Sequence, residues 1–168
     1  EKRKDTKEIK NILISMGGSD KNNVTYDILQ QLNNDFNVVV VLGGASQHKK
    51  MIKEYVKDKS VKVKVIVNAD NMAELMLKAD LAIGAGGTTS LERCCLGLPT
   101  LLYVLSVNQR VIAENLENLG AVITVRNLQD NLRTMLNDFK LWHEMSDKGQ
   151  SICDGTGASK VLSKLCQT

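Results

Sequence analysis

One recurring pair constrains this chain more than anything else in it. A short, wholly apolar run stops at glycine or another turn residue, and a segment of helical periodicity follows. The runs are NILISMGG (Asn11–Gly18), NVVVVLGG (Asn37–Gly44), ADLAIGAGG (Ala79–Gly87), PTLLYVL (Pro99–Leu105) and AVITV (Ala121–Val125). Strands apolar on both faces are what a parallel sheet covered on both sides requires. A sixth run, SVKVKVIVN (Ser60–Asn68), opens with strict Val/Lys alternation. That pattern marks a wet face, as on an edge strand or at a strand end. Between the runs, Val24, Ile28, Leu29 and Leu32 share one helical face, and so do Met51, Ile52, Tyr55 and Val56. Asp70 or Asn71 is placed to cap the helix in DNMAELMLKAD, and Gly97 with Pro99 ends the one in TTSLERCCLG. A helix ended by Gly120, a long helical stretch over 128–150 that divides into two pieces, and a last helix in GASKVLSKLCQ complete the order. Alternation with short loops predicts an α/β fold: a Rossmann-like parallel sheet with helices on both faces. The 168 residues are one domain by length.

Composition removes several functions. Net charge is +3, the lysines are dispersed, and only one Trp, three Tyr and two Phe are present. Nucleic-acid binding needs a concentrated basic stripe and aromatic stacking platforms, so it is not expected. No apolar run approaches the roughly 18 residues of a membrane span, and no signal peptide opens the chain. Cys94, Cys95, Cys153 and Cys166 lack zinc-ligand spacing, so reduced thiols in a cytoplasmic protein are the simplest reading. No metal is expected. The basic EKRKDTKEIK start reads as a solvated linker.

In such a sheet, ligands sit outside the carboxyl ends of the strands. Those ends carry GGSD (Gly17–Asp20), GGAS (Gly43–Ser46), VNADN (Val67–Asn71), GAGGTTS (Gly84–Ser90) and LSVNQ (Leu105–Gln109). Free N–H groups at a helix start bind anions, and phosphate is the natural candidate. Neither a Walker loop nor a GxGxxG fingerprint is present, and tight turns also explain such glycines. Glu92 has two readings. Thr89-Ser90-Leu91-Glu92 is a capping box, in which Glu92 accepts from the Thr89 N–H. Alternatively, its carboxylate accepts the hydroxyls of a ribose. Ser19 or Asp20 reads equally as an N-cap. His48 and His143 fall on predicted helices with no partner carboxylate. Asp70 and Asp80 fit cap and strand-entry positions, so no paired acid and base stand out. Read alone, the chain is a phosphate-binding lobe without a complete active site.

Taken in order, ISMGGSD (Ile14–Asp20), the segment Val67–Gln109 and DGTGASKV (Asp154–Val161) resemble one family. It is the UDP-sugar hydrolases of pseudaminic acid biosynthesis, which act on UDP-2,4-diacetamido-2,4,6-trideoxy-β-L-altropyranose. They are grouped with the spore-coat polysaccharide biosynthesis proteins. A wider likeness is to the peptidoglycan glycosyltransferases that add N-acetylglucosamine to lipid I. Both have two Rossmann-like lobes in the GT-B arrangement, and the resemblance covers nearly the whole chain as the C-terminal lobe.

The resemblance implies a site. Gly17, Gly18 and Ser19 lie near diphosphate and sugar, and Asn68 and Ala69 meet the uracil through backbone. Gly87, Thr88 and Thr89 face the pyrophosphate, Glu92 holds the ribose, and Asn108 and Gln109 close over the sugar. It also implies a metal-free hydrolysis that releases UDP, with no cofactor. UDP or the UDP-sugar is the expected ligand and the N-terminal lobe the expected partner. A histidine general base belongs to that lobe, so the catalytic residues are expected outside this chain and the chain alone is expected to be inactive. On this reading residues 1–9 lead from the other lobe and residues 10–168 form the nucleotide-binding lobe. The alternative is a GT-B glycosyltransferase that passes the sugar from a UDP-sugar donor to an acceptor. A non-enzymatic nucleotide-sensing module is a third reading, disfavoured by the five matched loops at one sheet edge.

Overall fold

A computed structural model describes residues 7–57 and 62–166. The first six residues of the expected linker, and Ser60 and Val61 of the alternating run, therefore lie outside the described residues. Six strands form one parallel sheet: β1 (Asn11–Ser15), β2 (Asn37–Leu42), β3 (Val63–Val67), β4 (Leu81–Ala85), β5 (Thr100–Tyr103) and β6 (Val122–Thr124). Their order is β3-β2-β1-β4-β5-β6, and every pairing is parallel. The Val/Lys strand β3 is an edge, one of the two positions that its alternation allows. The chain reverses direction across the sheet between β1 and β4, where Ile12 pairs with Leu81 and Ser15 with Gly84. A crevice opens at such a point because the loops on either side lead away to opposite faces.

Among the described residues, eight α-helices connect and cover the strands: α1 (Val24–Gln31), α2 (Lys49–Lys57), α3 (Met72–Lys78), α4 (Thr89–Cys95), α5 (Arg110–Asn118), α6 (Leu128–Asn137), α7 (Phe139–Ile152) and α8 (Gly157–Leu165). Strand side chains alternate between two faces. Ile12, Ile14, Val38 and Val40 join Ile28, Leu132, Met135 and Trp142 in the main core. Leu13, Val41 and Ala82 point the other way and pack with Met76, Ala79 and Leu98. A third cluster, Leu102, Ala113, Leu116 and Val122, seats α5 against β5 and β6.

One helix face differs from expectation. Met51 is 41% exposed, and Ile52 alone of its face is fully buried. Helix α2 begins at Lys49, three residues later than the periodicity implies, so its contact with the edge of the sheet is short. The stretch 128–150 does divide, at Asp138, whose carboxylate accepts from the Leu141 N–H at 2.9 Å and starts α7. The Trp142 indole then donates to the Asp80 carbonyl at 2.8 Å, tying α7 to the entry of β4. The Asp80 carboxylate accepts from the backbone of Lys10 and Asn11 at 3.0 and 2.8 Å. That residue is thus a staple at the amino end of the sheet, far from the ligand-bearing edge.

Candidate functional site

The five loops singled out by sequence all lie at the carboxyl edge of the sheet, and three of them meet. The β1 loop and the β2 loop touch so closely that a Cβ on Gly43 would stand 2.3 Å from the Gly18 carbonyl. Gly43 must therefore be glycine for the first loop to keep its path. The third loop leans on the second: a Cβ on Gly44 would meet the Asn68 amide at 2.7 Å. Asn68 itself has a left-handed backbone, φ 53°.

A cleft of about 430 Å³ opens between the ends of β1 and β4, within the range of small-molecule sites. Of the residues expected from sequence, Gly17, Gly18, Ser19, Gly87, Thr89 and Gln109 line it. Gln109 is held in place, its side-chain oxygen accepting from the Leu105 N–H at 2.9 Å. Thr88 is exposed at the N-cap of α4. The Gly87, Thr88 and Thr89 N–H groups have no internal acceptor among the described residues. They are the orphan donors expected where a helix begins.

Glu92, Asn68, Ala69 and Asn108 do not line this cleft. Glu92 lines a separate apolar groove of about 380 Å³ between α3, α4 and the turn after α7, with Ala73, Met76, Leu91 and Cys153. Ala69 packs beside that groove with Met72 and Leu96. Helix α4 lies between the two hollows, with Thr89 and Arg93 on one and Leu91, Glu92 and Cys95 on the other. Asn108 instead accepts a hydrogen bond from the Ser106 hydroxyl. The capping box is not formed. Thr88 rather than Thr89 is the N-cap, and the exposed Glu92 carboxylate makes no hydrogen bond among the described residues.

The structure also adds residues. Asp20 is 4% exposed and takes φ 40°. Its two oxygens accept from the Val24 and Thr25 N–H groups at 2.9 and 3.1 Å. Asp20 thus caps α1 from four residues ahead, with Asn23 as the formal N-cap. His48 precedes α2 instead of lying on it, and its Nε2 is 3.1 Å from the Lys21 carbonyl, bridging the first two loops. His143 lies on α7, edge-on to Trp142.

Arg93 is the residue that sequence reasoning passed over. It lines the cleft from below yet is only 2% exposed. Its guanidinium donates to the Ala85 carbonyl at 2.7 Å, and burial pulls its pKa down to about 10. The signal in the sequence was Gly84: a Cβ there would stand 2.3 Å from the guanidinium Nη1. A glycine inside an otherwise apolar strand often marks such a close approach.

Comparison with known proteins agrees with this architecture. The glycosyltransferase family 28 C-terminal domain matches residues 11–149. The spore coat polysaccharide biosynthesis protein SpsG of Bacillus subtilis is 27% identical over 172 aligned positions, covering 95% of this chain and 50% of that protein. MurG of Acinetobacter baumannii superposes with a TM-score of 0.76 at 22% identity, over 99% of this chain and 52% of that one. The UDP-GlcNAc 2-epimerase of Neisseria meningitidis, solved bound to UDP-GlcNAc, gives 0.68 at 19% identity, over 97% of this chain and 45% of that one. The chain spans half or less of the length of the curated relatives it matches. The fold is that of the C-terminal lobe of the GT-B arrangement. With the family's domain matched over most of its length, the chain belongs to the glycosyltransferase family 28 C-terminal domains.

Proposed function

We propose that this chain is the nucleotide-binding lobe of an enzyme that acts on a UDP-sugar. The observation that carries the reading is the pair of hollows on either side of α4, the polar one at its start and the apolar one along its length. One is polar and lined by Gly17, Gly18, Ser19, Thr89 and Gln109; the other is apolar and lined by Ala73, Met76 and Glu92. An extended ligand with an apolar base, a diol and an anionic bridge fits that division. In this reading the base lies toward Asn68, Ala69 and α3, and Glu92 accepts the ribose hydroxyls. The diphosphate lies on the free N–H groups of Gly87, Thr88 and Thr89, where oriented donors and the helix dipole favour negative charge. The sugar extends into the cleft beside Gly17–Ser19, with Asn108 and Gln109 over it.

The reaction we favour is hydrolysis of a UDP-linked diacetamido-trideoxy sugar, water attacking the anomeric carbon and UDP leaving, in nonulosonic acid biosynthesis. This chain supplies leaving-group stabilisation: diphosphate held by fixed donors departs without having to be protonated first. The base that activates water belongs to the N-terminal lobe of the same protein. The likeness to SpsG supports this reading; the likeness to MurG keeps a sugar transferase as the second one. Incubating the full-length protein with the UDP-sugar and no acceptor separates them. Release of free sugar together with UDP is the expected result. A donor that stays intact until an acceptor is added would establish the transferase.

A further inference from the structure

Arg93 is expensive to bury. A charged group taken out of water is stable only when paired or well hydrogen-bonded. Its partners are a neutral carbonyl, Ala85 at 2.7 Å, and a long contact to the Ser90 hydroxyl at 3.4 Å. Its Nε is buried with no partner at all. It makes no ion pair among the described residues. Its direction makes matters worse. The side chain folds back from α4 toward the end of β4, next to the start of its own helix. There the helix dipole and the orphan N–H groups are already positive, an arrangement unfavourable to a cation. Lys21 lines the same cleft, and the Asp20 carboxylate is occupied by the α1 N–H groups. A neutral side chain would serve the Ala85 carbonyl without any of this cost.

We propose that Arg93 is the built-in counter-charge for the diphosphate of the ligand, and that Gly84 provides the space through which its guanidinium reaches the floor of the cleft. The inference rests on the nucleoside-diphosphate reading above. It assigns Arg93 as a positioning residue that selects for negative charge, separate from Glu92, which addresses the nucleoside. The guanidinium is held fixed by packing, so it loses little freedom when the ligand arrives, and low local polarity strengthens its attraction for phosphate.

The test compares UDP with uridine on the wild-type chain and on Arg93→Met, Arg93→Lys and Gly84→Ala. The two ligands share base and ribose and differ in the diphosphate. Arg93→Met should weaken UDP binding by about 10- to 100-fold, the range for a hydrogen bond to a charged group. Uridine binding should stay within about twofold of wild type on the same scale. Arg93→Lys, which keeps the charge, should lose less. Gly84→Ala, which displaces the guanidinium, should show the same selective loss and serves if Arg93→Met does not fold. UDP affinity unchanged in these variants would overturn the inference, as would equal weakening of UDP and uridine. A wild-type chain that fails to bind UDP would overturn the nucleoside-diphosphate reading itself, and this inference with it.

Discussion

Glu92 shows how one residue can satisfy two sequence patterns and only one geometry. The T-x-x-E spacing is that of a capping box, but α4 starts one residue too early for Thr89 to be its N-cap. The carboxylate is left exposed on the groove it shares with Ala73 and Met76. Glu92→Ala should therefore leave the melting temperature nearly unchanged, within the roughly 0.5 kcal/mol of ordinary surface substitutions. A larger loss would restore the capping role. Asp20 behaves in the opposite way. It anchors two N–H groups of α1 from a buried position. Asp20→Ala should cost about 1–2 kcal/mol, as cap removal does, measured by urea denaturation. Among the thiols, burial pushes Cys94 up to about 11, whereas Cys166 is exposed. An unfolded thiol ionises near 8.5, so above that pH the unfolded chain sheds a proton that the folded one keeps. Cys94 thus contributes a loss of stability as pH rises from about 8.5 toward 11. The melting temperature of Cys94→Ala should fall less steeply from pH 8 to pH 10 than that of the wild type. Equal slopes would show that this thiol does not titrate differently in the two states.

At the scale of elements, the strands were legible because buried parallel strands have a composition of their own. The runs ending at Gly17, Gly43 and Gly86 needed no tertiary knowledge, since β-branched apolar residues on both faces fit little else. The Val/Lys start of β3 disclosed a wet face by the same reasoning, and the sheet order makes it an edge. Helix starts were harder. The α1 cap lies in a left-handed turn at Asp20 and Asn23, and α2 begins only after His48 has bridged to Lys21. Neither follows from periodicity, because both depend on a neighbouring loop. The close approach of the first two loops was equally hidden, although its glycines were in plain view. Gly43→Ala would drive a Cβ into the Gly18 backbone. Backbone cannot step aside as a side chain does, so the first loop must move. We expect a melting temperature lower by several degrees, since about 1 kcal/mol corresponds to roughly 2–4 °C at this size. We also expect weaker UDP binding; unchanged binding would mean that Gly17–Ser19 stand clear of the ligand. Trp142→Phe should cost at least about 1 kcal/mol through the lost bond to the Asp80 carbonyl, without altering ligand affinity, because that staple sits at the opposite end of the sheet.

At the scale of the molecule, the sheet order places β1 and β4 side by side and sends their loops apart, and the cleft follows from that topology. The position of the site was therefore legible once the order of elements was known. The charge beneath it was not. Arg93 sits within a helix whose sequence gives no sign that a cation turns inward, and only the space left by Gly84 makes the turn feasible. Division of labour follows from the proposed function: in that reading one lobe grips the nucleotide, and the chemistry at the sugar needs groups from elsewhere. The central claim is that this lobe by itself holds UDP across the start of α4. Calorimetric titration of the chain with UDP, beside Glu92→Ala, tests it most directly. The account predicts saturable one-to-one binding that Glu92→Ala weakens, with UDP at 100 times its dissociation constant adding about 2.7 kcal/mol of stability. No heat and no change in melting temperature at millimolar UDP would contradict it.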